Sequence, residues 1–209
     1  PASSLSLSCQ PASQPATMST AAKQDPAGKT ARAKAADGKV YFSYAQIHTA
    51  ITGLAPKVKE FKPDLIIAIG GGGFVPARML RTIVKVPILA ISLELYDDAT
   101  CTARDKVVRK QWYDIASELG EKVPGGRVLI VDEVDDTRTT LEYAIKEVMK
   151  DGPSAVAVAC VHNKKKEKKG RIPEGVLYMS GEDVEDHWNC YPWDADGYGR
   201  DIYARMCCQ

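Results

Sequence analysis

No run of apolar residues in this 209-residue chain approaches the about 20 needed to cross a bilayer, which excludes a helical membrane span. Charge of one sign is lacking too. The 28 Lys and Arg against 27 Asp and Glu leave a formal net charge of +1, which gives no support to a broad nucleic-acid or membrane surface. The six cysteines (Cys9, Cys101, Cys160, Cys190, Cys207, Cys208) contain no C-x-x-C and no paired spacing. This argues against a disulfide framework or zinc site and for a reduced, intracellular protein, with the cytoplasm as the expected compartment. No G-x-x-x-x-G-K-[ST] occurs, so there is no P-loop. A dinucleotide fingerprint fails as well: from Gly71 the chain reads G-x-G-x-x-P, with Pro76 in place of the third glycine.

What is present suffices for one sizeable core, since 44% of residues are apolar. Residues 1–38, rich in Ala, Ser, Pro, Gln and Lys, lack apolar periodicity and are expected to be disordered. From residue 39 to 209 the chain reads as a single domain. Ser43 and Gln46 have capping-box spacing, and Ile47, Ile51, Leu54 and Val58 then form one stripe of an amphipathic helix. Leu65–Ile69, Val86–Leu93, Val128–Val131 and Ala155–Val161 read as buried strands. A helix begins near Pro76, and another carries Leu141, Ile145, Val148 and Met149. Alternating strands and helices predict a doubly wound parallel α/β sheet over 39–161. Residues 94–125 are polar and irregular, and 162–209 read as a small hood subdomain over the sheet, with a possible strand at Val176–Met179.

The most informative segment is Val128-Leu-Ile-Val-Asp132-Glu133-Val-Asp135-Asp136-Thr137-Arg138-Thr139-Thr140-Leu141. Two carboxylates ending a buried strand can accept hydrogen bonds from vicinal sugar hydroxyls. The next turn enters a helix, where the amides of 137–140 and the hydroxyls of Thr137, Thr139 and Thr140 form a cradle for phosphate. Acid pair followed by anion turn describes a site for a ribose 5-phosphate. A strand ending in Asp-Glu also resembles the magnesium-binding acid of P-loop nucleoside triphosphatases, and clustered acids suit any solvated helix N-terminus. Neither alternative accounts for the Thr-x-Thr-Thr run.

The segment resembles the phosphoribosyl pyrophosphate motif of type I phosphoribosyltransferases, and the resemblance extends over roughly residues 40–205. It implies that Asp132 and Glu133 hold the ribose hydroxyls and help to place Mg²⁺. Asp136 would be the catalytic group beside purine N7, with Asp136, Thr137, Arg138, Thr139 and Thr140 around the 5-phosphate. Arg138 departs from the family, which usually has glycine there. Gly70–Gly73 resembles the pyrophosphate loop, with Gly71–Gly72 as its ligand-facing peptide. Gly71 stands where purine members often carry Lys or Arg; Arg78 is a candidate for the missing charge, although an exposed helix Arg is the simpler reading. Arg200 matches a pyrophosphate contact in some relatives.

His187-Trp188-Asn189-Cys190-Tyr191-Pro192-Trp193-Asp194 resembles the base-binding stretch of hypoxanthine–guanine and xanthine–guanine phosphoribosyltransferases. On that match Trp188 stacks on the base, Asn189 lies at its six-membered ring, and Asp194 is near the 2-position or the metal. Lys164 donates to O6 and so favours 6-oxopurines. Trp193 reads as core packing, His162 as a hydrogen-bonded strand-end histidine, and Lys165, Lys166, Lys168 and Lys169 as a solvated loop. Residues 94–120 correspond to the family's mobile loop. The implied partners are phosphoribosyl pyrophosphate and a 6-oxopurine, with Mg²⁺ as cofactor and a homodimer or homotetramer as the assembly. A non-enzymatic regulator of the same fold, sensing the activated sugar or a nucleotide, is the alternative.

Overall fold

The computed structural model describes residues 34–35, 37–97 and 102–194. Expectations for 1–33 and for Arg200 lie outside these. Within 34–39 the chain already carries turn hydrogen bonds, Ala35 N to Lys39 O and Gly38 N to Ala35 O.

Helix α1 (Tyr44–Phe61) starts where the sequence indicates. Gln46 N donates to Ser43 Oγ at 3.2 Å and Ser43 N to Gln46 Oε1 at 2.8 Å, so two amides that the first turn leaves open are both satisfied. Its apolar stripe of Ile47, Ile51, Leu54 and Val58 is buried. Strand β2 (Leu65–Gly70) and α2 (Phe74–Val84) follow, then β3 (Ile88–Asp97) and β4 (Thr102–Gln111). After these come β5 (Arg127–Asp135), α3 (Thr139–Met149), β6 (Ala155–Lys165) and β7 (Leu177–Glu185). The main sheet has the order β4-β3-β2-β5-β6-β7, parallel except for β4. Strands β1 (Val40–Tyr41) and β8 (Asn189–Cys190) form a separate parallel pair.

Alternate residues of the central strands feed two cores. Ile66, Ala68, Leu129, Val131, Ala157 and Ala159 pack under α1 and α2. Leu65, Ile67, Ile69, Val128, Ile130 and Val158 pack under α3. Both faces of the sheet are therefore covered, which is why these strands read as unbroken apolar runs. The fold is the doubly wound α/β arrangement expected.

Three expectations change. Residues 94–125 are not irregular throughout, because β3 continues to Asp97 and returns antiparallel as β4. An edge strand with one face in water carries charge, and Lys106, Arg109 and Lys110 hide its strand character from an apolar pattern. Strand β5 does not stop at Val131 but stays paired with β6 to Asp135, opposite Asn163. Residues 177–185 join the main sheet beside β6 rather than a separate hood.

The pairing of β2 with β5 ends at Ala68–Val131, two residues before β2 ends. Asp132 and the residues after it thus lose their neighbour on that side. A cleft opens between β2 and β5, the point where the chain leaves to opposite sides of the sheet and where ligands of such folds bind.

Candidate active site

The cleft is a cavity of about 290 Å³ lined chiefly by Gly70, Gly71, Gly72, the run Asp132–Arg138 and Thr140. Beside it, a hollow of about 570 Å³ shares Gly70, Gly71 and Thr140 and reaches Lys110 on β4. The glycine turn and the acidic segment, 60 residues apart in sequence, face one space. The turn contains one cis peptide, Gly70–Gly71, next to the Gly71–Gly72 peptide expected to face a ligand. Gly72 meets the acid pair directly: a Cβ there would lie 1.0 Å from Glu133 Oε2.

Both acids carry unfavourable charge in this setting. Burial pushes Glu133 up to about 7, with repulsion from Asp194 adding to it. Burial also raises Asp132 well above the usual carboxylate range, and Glu133 contributes. Glu133 Oε2 is buried and makes no hydrogen bond of good geometry among the described residues, although the Trp193 indole nearby offsets part of the rise. A partly buried, mutually repelling pair with an open oxygen fits a hard cation or donating hydroxyls. Among the described residues no three acids, histidines or cysteines converge enough to hold a metal by themselves. Asp132, Glu133 and Asp194 therefore do not form a closed protein cage.

Beyond β5 the chain turns into α3. Thr137 Oγ1 and Thr139 Oγ1 are 3.1 Å apart, and the amides entering the helix have no intrahelical acceptors. Arg138, the position where the family usually has glycine, takes the left-handed backbone that glycine favours, with φ 68°. Its guanidinium does not project as a free phosphate ligand. Nε and Nη2 donate to Asp135 Oδ2 at 2.9 and 2.7 Å, and the group lies over the Tyr178 ring.

Asp136 is held by two lysines, with Lys164 Nζ at 3.3 Å and Lys166 Nζ at 3.0 Å from Oδ1. Burial opposes its ionisation, but Lys166 and Lys164 outweigh that and keep the carboxyl below its ordinary range. Asp186 pairs with the same lysines, at 3.0 Å from Lys166 and 3.8 Å from Lys164. Reading Lys165, Lys166, Lys168 and Lys169 as a solvated loop therefore missed Lys166, and also Lys168, whose Nζ donates to the carbonyls of Asp135 and Asp136. The signal was available: β6 continues through Lys165, and period-two alternation puts Lys164 and Lys166 on one face and Lys165 on the other. Lys165 pairs with Glu185 in solvent, as expected of a surface residue.

On the base side, Trp188 is 72% exposed and Asn189 sits on β8. Neither lines the cavity, whereas Lys164 reaches it through Asp136. Asp194 closes a short 3-10 turn, Pro192–Asp194, and acts on Glu133 through charge. His162 is fully buried, with Nδ1 2.8 Å from Tyr191 Oη, a structural role. Trp193 stacks on Tyr191 against the core. Arg78 donates to Thr82 along α2 and does not line the cavity.

A mostly parallel α/β sheet with its acid-lined cleft and helix-entry turn at the carboxyl ends of the strands is the type I phosphoribosyltransferase fold. The phosphoribosyl transferase domain family matches residues 43–191, and the chain belongs to that family. Hypoxanthine-guanine phosphoribosyltransferase of Saccharomyces cerevisiae is 40% identical, over 77% of this chain and 87% of the relative. Xanthine phosphoribosyltransferase 1 of the same yeast is 37% identical, over 76% and 90%. A Neisseria gonorrhoeae protein solved with bound ppGpp superposes with a TM-score of 0.70 at 44% identity, over 80% of this chain and 94% of that one. The purine phosphoribosyltransferase of Pyrococcus horikoshii gives 0.60 at 31% identity, over 76% and 96%.

Proposed function

We propose that this enzyme is a purine phosphoribosyltransferase of nucleotide salvage. It transfers the 5-phosphoribosyl group of phosphoribosyl pyrophosphate to N9 of a 6-oxopurine and releases pyrophosphate. The observation that carries the reading is the convergence, at one strand end, of the acid pair, the threonine turn and an Asp136 held within 3.3 Å of Lys164.

In this reading Asp132 and Glu133 accept hydrogen bonds from the ribose hydroxyls. Thr137, Thr139, Thr140 and the amides of 137–140 bind the 5-phosphate, and Gly71 and Gly72 present backbone to the pyrophosphate. Arg200 belongs to the pyrophosphate contacts by family resemblance alone. Asp132 and Glu133, with Asp194 nearby, would share Mg²⁺ with the substrate; when bound, the ion offsets charge on the departing pyrophosphate. As the bond from C1 to the pyrophosphate oxygen breaks, N9 forms its bond to C1, and Asp136 takes up the proton released at N7. Lys164, paired with Asp136, donates to O6. Trp188 supplies an exposed face for stacking, with Asn189 and Asp194 at the edge of the ring. Residues 188–194 and β1 then serve as the base-facing hood, on a core formed by the rest of the domain. The same reading takes the enzyme to act in the cytoplasm as a homodimer or homotetramer. No helix among the described residues is long and apolar enough to cross a membrane.

Incubation with phosphoribosyl pyrophosphate, Mg²⁺ and a panel of bases should give nucleotides from hypoxanthine, guanine or xanthine and none from adenine. Absence of any nucleotide, or phosphate release without a base, overturns the reading.

The lysine pair sets a pH prediction. Because Lys166 helps to hold Asp136 below its ordinary range, the carboxylate stays ionised to lower pH than a free Asp. Lys166→Met should therefore raise the titration midpoint of the Asp136 carboxyl, followed by carboxyl NMR against the Asp136→Asn variant. A midpoint that stays in place would show that Lys166 does not tune Asp136.

A further inference from the structure

We infer that the loop between β6 and β7, residues 168–170, is a strap that moulds the phosphate-binding turn 137–140, and that Lys168 and Gly170 are positioning residues for the 5-phosphate. The inference rests on the phosphoribosyl reading of that turn.

Three consecutive carbonyls leading into the turn are held from this loop. Lys168 Nζ donates to the carbonyl oxygens of Asp135 at 2.7 Å and Asp136 at 2.9 Å. The amides of Lys169 and Gly170 both donate to Thr137 O, at 3.0 and 3.1 Å. Fixing these carbonyls on the loop side orients the peptide planes of the turn, and with them the amides that must meet a phosphate. Gly170 presses on the next two residues: a Cβ there would lie 2.4 Å from Arg138 O and 3.0 Å from Thr139 N. Those are backbone atoms, which cannot swing aside as a side-chain end can.

Arg138 is locked from the other direction. An L-residue in the left-handed region is disfavoured by contact of its Cβ with the following carbonyl, so this turn needs outside support. Asp135, only 1% exposed, provides it: its Oδ2 accepts from Arg138 Nε and Nη2 and from Tyr178 Oη at 2.8 Å. Lys168 Nζ stands 3.6 Å from Oδ1 of the same carboxylate. Asp135 thus ties the arginine, the tyrosine of β7 and the strap lysine into one unit behind the turn. The charge of Arg138 is spent on Asp135, which leaves amides and hydroxyls to face the ligand. Such a turn keeps its shape without a ligand, so little reorganisation is needed on binding.

The test uses the full chain, with ribose 5-phosphate as a probe that carries the phosphate but neither pyrophosphate nor base. Gly170→Ala should raise both the KM for phosphoribosyl pyrophosphate and the inhibition constant of ribose 5-phosphate by about tenfold or more, since a displaced turn misplaces every donor. The KM for the base should stay within about twofold, because the base side is untouched. Lys168→Met should move the same two constants in the same direction, and carries the test if the alanine variant does not fold. Arg138→Gly keeps the left-handed backbone accessible, so a weaker ribose 5-phosphate constant there isolates the guanidinium tie. Folded Gly170→Ala and Lys168→Met variants with unchanged ribose 5-phosphate constants, or with equal losses for sugar and base, overturn the strap while leaving the function intact. A wild-type chain that makes no nucleotide overturns the function, and the strap's purpose with it.

Discussion

Asp136→Ala should lower kcat by roughly 10²–10⁴-fold, the usual contribution of a positioned acid–base group, while the KM for phosphoribosyl pyrophosphate changes little. The expectation follows from where the carboxylate stands. It lines the cleft at the entry to the threonine turn and faces Lys164 and Lys166 rather than the acid pair. Loss of the side chain leaves the turn's amides and hydroxyls in place, so the sugar phosphate still binds. It removes the acceptor for the proton of the attacking base, and it leaves Lys164 and Lys166 with only Asp186 as a shared partner. Repulsion between the two ammonium groups should then disturb Lys164, so some rise in the KM of the base is expected. Steady-state kinetics with each substrate varied in turn checks this. Undiminished kcat removes Asp136 from the chemistry, and a loss confined to the KM of the sugar reassigns it to binding.

Gly72→Ala should cost catalysis far more than it costs stability. The added methyl would fall 1.0 Å from Glu133 Oε2 and 1.7 Å from its Cδ, the far end of a flexible side chain. Glu133 can rotate away with little disturbance of the fold, so the melting temperature should shift by only a few degrees, on the order of 1 kcal/mol. Displaced, however, the carboxylate no longer reaches the ribose and the ion it would share. We expect kcat/KM for phosphoribosyl pyrophosphate to fall by roughly 100-fold, about 2.7 kcal/mol of transition-state stabilisation. Glu133→Asp in the Gly72→Ala background, with a shorter arm, should recover part of the loss. Wild-type kcat/KM in Gly72→Ala sinks the idea that the glycine exists to seat the glutamate. Thermal unfolding beside the kinetics separates the two effects.

Much of the scaffold was legible in the residues. Continuous apolar runs at 65–69, 128–131 and 155–161 could only be strands covered on both faces, and Ser43 with Gln46 fixed the first helix start. The acid–threonine segment announced its chemistry because its residue types and order are what a sugar phosphate requires. Strand β4 was not legible, since an edge strand buries little and its charges obscure any alternation. The lysines at 166 and 168 were passed over for a related reason. A run of like residues looks solvated until one knows that alternate members face a half-buried carboxylate or a carbonyl.

By itself the sequence determined the strand-and-helix alternation and the chemistry of the cleft acids and threonines, because these depend on local order and periodicity; the phosphoribosyltransferase class entered through the resemblance of the acid–threonine segment to that family's motif. Only the tertiary structure decided that Gly72 seats Glu133, that Arg138 turns inward to Asp135, and that residues 168–170 lie against the turn. Each is a contact across about 30 to 60 residues of chain or a choice of side-chain direction, and both are set by how strands pair and helices cover them rather than by neighbours in sequence.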